Sequence, residues 1–150
     1  MLGYIGLAAY ESAVEGMPDY NSLAYEFPGL NLPAIQADQE YYWPACVNTV
    51  YAAMFRYFYP HIKASDTYKI TLLENQFLEE FGNQVDEAVL SRSRDYGYNV
   101  AKAVFEFSQT DTYGDEAFND PFPPSYHPPL TGIYGEKLWQ PTWPDYGPAL

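Results

Sequence analysis

The sequence predicts an all-α fold of about four helices followed by a long proline- and aromatic-rich extended C-terminal arm. Three observations carry this reading. Apolar residues recur at spacings of three and four along separate stretches before residue 110. Glycine, proline and capping residues fall between those stretches. Eight of the 13 prolines lie beyond residue 110, where the periodicity stops. The predicted organisation is a helical scaffold over 1–110 and an extended arm over 111–150 packed on a surface.

Size and charge bound the rest. A chain of 150 residues has the length of one domain with a real core. With 7 Lys+Arg against 20 Asp+Glu the formal net charge is -13, and a field of that sign repels nucleic acid and anionic bilayers. Disorder is excluded despite the charge, because 47% hydrophobic and 19% aromatic residues supply enough apolar surface to offset the ordering entropy. The 16 Tyr bury a ring while keeping a hydroxyl wet, which suits interfaces and flat packing.

The first helix covers the apolar opening, Met1 to Tyr10, and is stopped by Gly16-Met17-Pro18. No Ser, Thr, Asp or Asn precedes it as a cap. Without a basic flank or cleavage site it is no signal peptide, and Glu11 ends the run far short of the ~20 residues that span a bilayer. Residues 17–36 read as a loop rich in turn residues. The second helix opens at Trp43-Pro44, where the missing proline N–H costs nothing. Val47, Val50, Tyr51, Met54, Phe55 and Phe58 form its stripe, and it ends at Pro60. Cys46, the single cysteine, reads as a small buried hydrophobe. Ser65-Asp66 predicts the cap of the third helix, with Ile70, Leu73, Phe77 and Phe81 inward, Glu74, Glu79 and Glu80 in water, and Gly82-Asn83 as the stop. Asp86 caps the fourth, which buries Val89, Ser93, Tyr96, Val100, Val104 and Phe107 and runs to about Thr110. Gly97 and Ala101 allow another helix to approach it closely.

The arm carries too many large rings for a solvated linker. Tyr126, Tyr134, Trp139 and Trp143 are therefore the candidate partner-binding residues. Asp111, Asp115 and Glu116, with Asp120, are weak candidates for calcium, because their spacing departs from an EF-hand loop; a solvated acidic loop is the plainer reading. His61 and His127 lack a second ligand at metal spacing. Tyr41-Tyr42-Trp43 and the pair Trp139/Trp143 offer flat rings for a sugar, although packing explains them as well.

Leu7-Ala8-Ala9-Tyr10-Glu11-Ser12-Ala13-Val14-Glu15-Gly16-Met17, then Tyr42-Trp43-Pro44-Ala45, then Ser93-Arg94-Asp95-Tyr96-Gly97 with Val100-Ala101, then Leu138-Trp139-Gln140-Pro141-Thr142, resemble in order and spacing the N-terminal helical part of bacterial vanadium-haloperoxidase-like proteins of the type 2 phosphatidic acid phosphatase (PAP2) superfamily. The resemblance covers essentially the whole chain. It implies an all-α fold whose N-terminal helices support a C-terminal bundle. In that bundle a lysine, two arginines and a histidine hold phosphate or vanadate, and a second histidine is the nucleophile or vanadium ligand.

The family's signature is, in order, a Lys and an Arg-Pro pair, then Pro-Ser-Gly-His, then Ser-Arg followed by a His, and this chain departs from it. It has no Arg-Pro pair, and Pro124-Ser125-Tyr126-His127 puts a tyrosine where a glycine backbone must approach the anion. Its Ser-Arg pairs, Ser91-Arg92 and Ser93-Arg94, precede that block rather than follow it, and after Lys102 the one basic residue of Lys or Arg type is Lys137. The expectation is a non-catalytic scaffold portion with no catalytic, cofactor or metal residues of its own, vanadate or phosphate belonging to a missing C-terminal half. Its partner is that half or another protein chain. The alternative is a stand-alone helical interaction subunit of a larger cell-envelope assembly, binding through the aromatic arm. A third reading, a secreted carbohydrate-binding protein, rests on the aromatic residues. By resemblance alone, the compartment is periplasm or cell surface.

Overall fold

The computed structural model describes residues 1–119, 129–138 and 140. The chain divides into two compact units, Met1–Thr110 and Asp111–Leu150.

The first unit is all helix and loop. Its helices are α1 (Leu2–Glu11), α2 (Trp43–Phe58), α3 (Ala64–Gly82) and α4 (Glu87–Ser108), with short 3₁₀ turns at Val14–Gly16 and Ala24–Glu26. Helix α2 is central: it packs on α1, α3 and α4, and α1 also lies against α4. The core runs along these contacts through Ile5, Ala8, Cys46, Val50, Met54, Val100 and Val104, all nearly or fully excluded from water. Burial of such side chains stabilises by about 1.5–3 kcal/mol each for the larger ones.

The close approach of α2 and α4 rests on Gly97. A Cβ placed there would lie 2.9 Å from the Cα of Cys46 and nearer still to its carbonyl oxygen, so any side chain would push backbone against backbone. Above this crossing, the start of α2 is held by a side chain of α4. Tyr42, which precedes α2, has no capping side chain of its own, and its N–H donates to Ser93 Oγ at 2.8 Å. Ser93 Oγ in turn donates to Val89 O at 2.7 Å, so this buried hydroxyl uses both its donor and an acceptor site.

Helix α3 is rotated from the orientation the sequence suggests. Leu73 and Phe77 are exposed, whereas Leu78 is buried and Glu74, expected in water, faces inward. The reason is Arg56 on α2. Its Nη2 pairs with Glu74 Oε2 at 2.6 Å and donates to Thr71 Oγ1 at 3.0 Å. Asn48 Nδ2 adds a bond to the Glu74 carbonyl at 3.1 Å. These polar links turn Thr71, Glu74 and Leu78 toward α2, where Leu78 joins Ala45 and Leu90 in a small cluster. The start of α3 also differs: Lys63 precedes the first helical residue, and Ser65 and Asp66 lie inside the first turn. Asp66 there accepts from Lys69 Nζ at 2.7 Å, which holds its carboxyl below the usual range, in a turn where a negative charge is favoured.

The second unit corrects the expectation of an arm without regular structure. Thr112–Asn119 form helix α5. Its cap is Asp111, whose Oδ1 accepts from the Gly114 N–H at 3.2 Å. Residues 130–138 make a short hairpin closed by the Thr131–Lys137 bridge, with Gly135 at φ 81° in its turn. No helix of the described residues is long and apolar enough to cross a membrane.

Candidate docking face

On α2, Asn48 and Arg56 point to α3; on α3, Thr71, Glu74 and Leu78 point back. Residue 45 meets 78 and residue 56 meets 71, so the two helices run antiparallel. Each residue is turned by about 100° from the one before it. Tyr51, Phe55 and Tyr59 sit one or more positions round from the α3-facing residues in one sense, and Ile70, Leu73 and Phe77 sit one position before 71, 74 and 78 in the same sense. In antiparallel helices this brings both sets to one side of the pair.

That side is aromatic and open. Tyr51 stacks on Phe55 at 6.5 Å between centroids, Phe55 on Tyr59 at 6.0 Å, and Phe77 on Phe81 at 5.9 Å. Tyr51 is 44% exposed, Leu73 54% and Phe77 40%. Isolated exposed apolar residues are ordinary, but a row of them along two adjoining helices is the mark of an interaction surface. The sequence assigned Leu73 and Phe77 to the core. The signal it did carry is the doubled Leu72-Leu73, since one helical face cannot bury both.

Of the arm residues chosen for partner binding, Tyr126, Trp139 and Trp143 lie outside the described residues. Tyr134 is described, and with Ile133 it forms the tip of the hairpin, 90% and 89% exposed. The loop has three residues, Ile133, Tyr134 and the left-handed Gly135, and it presents two large apolar side chains to water. Of the calcium candidates, Asp111 is the α5 cap just described, Asp115 lies within α5, and Glu116 lies on α5 with its side chain outside what is described. Among the described residues no three His, Cys, Asp or Glu gather as a metal site.

The sugar platform is spent on packing. Tyr41 stacks on Trp43 at 5.5 Å, Arg92 lies over the Tyr41 ring at 5.9 Å, and Tyr42 meets Phe81 edge-on at 5.2 Å. Glu11 was not anticipated as a core residue. It is 1% exposed, and its Oε1 accepts from the Leu23 N–H at 2.7 Å, which ties the 17–36 loop to α1. Tyr10 adds a second tie through its hydroxyl to Asn21 O at 2.8 Å.

Arg56, Lys69 and Lys102 are each paired with an acid, and Arg92 donates to Glu40 O at 2.7 Å. Arg92 and Arg94 are two apart on α4 and so point to different sides. No family model, no curated protein and no solved structure matches this chain.

Proposed function

We propose that this chain is the N-terminal, non-catalytic scaffold portion of a haloperoxidase-like or PAP2-type phosphatase, exported to the periplasm or cell surface. Its partner is the helical half that would carry the oxyanion pocket. The observation that supports this reading best is the open face of Tyr51, Phe55, Leu73 and Phe77, which has the apolar character of a surface seated against more protein. Arg56, Lys69 and Arg92, each engaged with a neighbour in the fold, agree with a supporting role rather than a chemical one. A second reading, an interaction subunit that binds through its arm, is favoured by the exposed Ile133-Tyr134 tip.

The test has two arms. The purified 150-residue chain is expected to show no turnover above buffer with p-nitrophenyl phosphate, or with bromide, vanadate and peroxide. An antibody against residues 1–110 is expected to detect, in the cells the sequence comes from, a polypeptide far heavier than 17.1 kDa. Enzyme-like turnover by the chain sinks the scaffold reading, and a natural product of 17.1 kDa with a co-purifying chain transfers support to the subunit.

A further inference from the structure

A groove of about 400 Å³ lies between the 33–41 loop and α4, within the ~300–1,000 Å³ range of small-molecule clefts. Its polar lining comes from one stripe of α4, Ser91, Arg92, Asp95 and Asn99, faced by Gln36 from the loop. The loop is shaped by its own bonds. The Gln36 N–H donates to Tyr41 Oη at 3.0 Å, and Asp38 takes the left-handed conformation at φ 61°, which Asp tolerates better than most residues. Arg92 Nη1, donating to Glu40 O, fastens the far end of the loop to the helix. The groove is therefore bordered by a segment held in place.

Arg92 Nη1 and Tyr41 Oη are spent on the loop, while Gln36, Ser91, Asp95 and Asn99 are exposed to solvent. Among the described residues the side chains of Gln36, Ser91, Asp95 and Asn99 make no hydrogen bond or ion pair. Arg92 and Asp95 are three apart on one helix face, a spacing at which opposite charges commonly pair, and they do not pair here. Both donors and acceptors thus face the groove: a guanidinium, two amides, a hydroxyl and an acceptor-only carboxylate. Pro33, Ala34 and Ala88 supply an apolar wall beside them.

Charge selects among ligands. An anion meets Asp95 and the field of a chain with net charge -13, and a cation meets Arg92. A neutral ligand whose groups each donate and accept, with an apolar C–H face for the Pro33–Ala34–Ala88 wall, satisfies the whole lining. We infer that this groove binds a neutral carbohydrate of one or two sugar rings, held by hydrogen bonds that Gln36, Arg92 and Asn99 donate and Asp95 accepts rather than by ring stacking. Stacking is not available, since Trp43 and Arg92 already cover the Tyr41 ring. The inference is independent of the scaffold reading.

The test is a ¹H–¹⁵N NMR titration of the full chain with glucose, galactose, N-acetylglucosamine, maltose and cellobiose, with glycine and inorganic phosphate as charged probes. Saturable shifts confined to residues 33–41 and 88–99 are expected with at least one sugar. Asp95→Ala and Asn99→Ala, exposed residues that hold nothing else in place, are each expected to weaken binding by about tenfold, or 1.4 kcal/mol, with the melting temperature unchanged. Three results overturn the inference: no saturable shift with any sugar, sugar binding unaltered by both variants, or shifts at this groove with glycine or phosphate but not with the sugars.

Discussion

Cys46 sits where α2 and α4 come closest, with no exposed surface. Its Sγ–H points at Tyr42 O, 3.7 Å away. Burial pushes the thiol from its ordinary 9.0 up to about 12, against a smaller opposing pull from Ser93. Below pH 9 both folded and unfolded chains keep the proton. Above it the unfolded chain releases a proton that the folded chain retains, so the unfolded state binds fewer protons and stability falls as pH rises, until about pH 12. The slope from this one group is about 1.4 kcal/mol per pH unit. Tyr96, raised by burial first and then by Glu15, pulls in the same direction. Urea unfolding between pH 8 and 11 is expected to show falling stability, with a shallower fall in Cys46→Ala. A thiol reagent at pH 8 is expected to label Cys46 only in denaturant; rapid labelling of the folded chain contradicts this placement. The burial of Cys46 was legible in the sequence because apolar neighbours at helical spacing surround it.

Helix α3 shows why an element can be recognised while its orientation is missed. Its end follows from Gly82-Asn83, and the structure ends it at Gly82, whereas its start lies at Ala64, ahead of the predicted Ser65-Asp66 cap. Its inward face does not follow, because Ile70, Leu72, Leu73, Phe77, Leu78 and Phe81 fit more than one stripe. The choice is made by Arg56, Asn48 and Thr71, polar residues whose partners lie 15 to 26 positions away and leave no periodic trace. The rotation predicts a sharp contrast between neighbouring positions. Leu73→Glu and Phe77→Glu, on the open face, are expected to change the unfolding free energy by within about 0.5 kcal/mol. Leu78→Ala, one residue from Phe77, is expected to cost about 2–3 kcal/mol through the cavity it leaves beside Ala45 and Leu90. Urea denaturation of the three variants checks this, and equal losses at 73 and 78 contradict the orientation of α3.

At the scale of the whole molecule, every buried residue among those described lies in the first unit, between Ile5 and Ser108. In the second unit the described side chains are half-buried or exposed, and the regular structure among the described residues is an eight-residue helix and one hairpin. The change at residue 110 was legible because helical periodicity and the density of proline both switch there. Helix α5 was not, since Asp111 was counted among acids rather than as a cap. A helix of eight residues is below the ~12–15 that make an isolated helix marginally stable in water. Cooperative stability of the chain therefore comes from the α1–α4 core, within which the long-range ties from Glu11 to Leu23 and from Ser93 to Tyr42 are complete. Residues 1–110 produced alone are expected to unfold in a single urea transition with a midpoint close to that of the full chain. Circular dichroism at 222 nm and tryptophan fluorescence are expected to coincide, since Trp43 is the one tryptophan before residue 110 and lies against Tyr41 and Tyr96. A broad, non-coincident transition for 1–110 would show that residues 111–150 complete the core, and the α1–α4 bundle would then not be an independent unit.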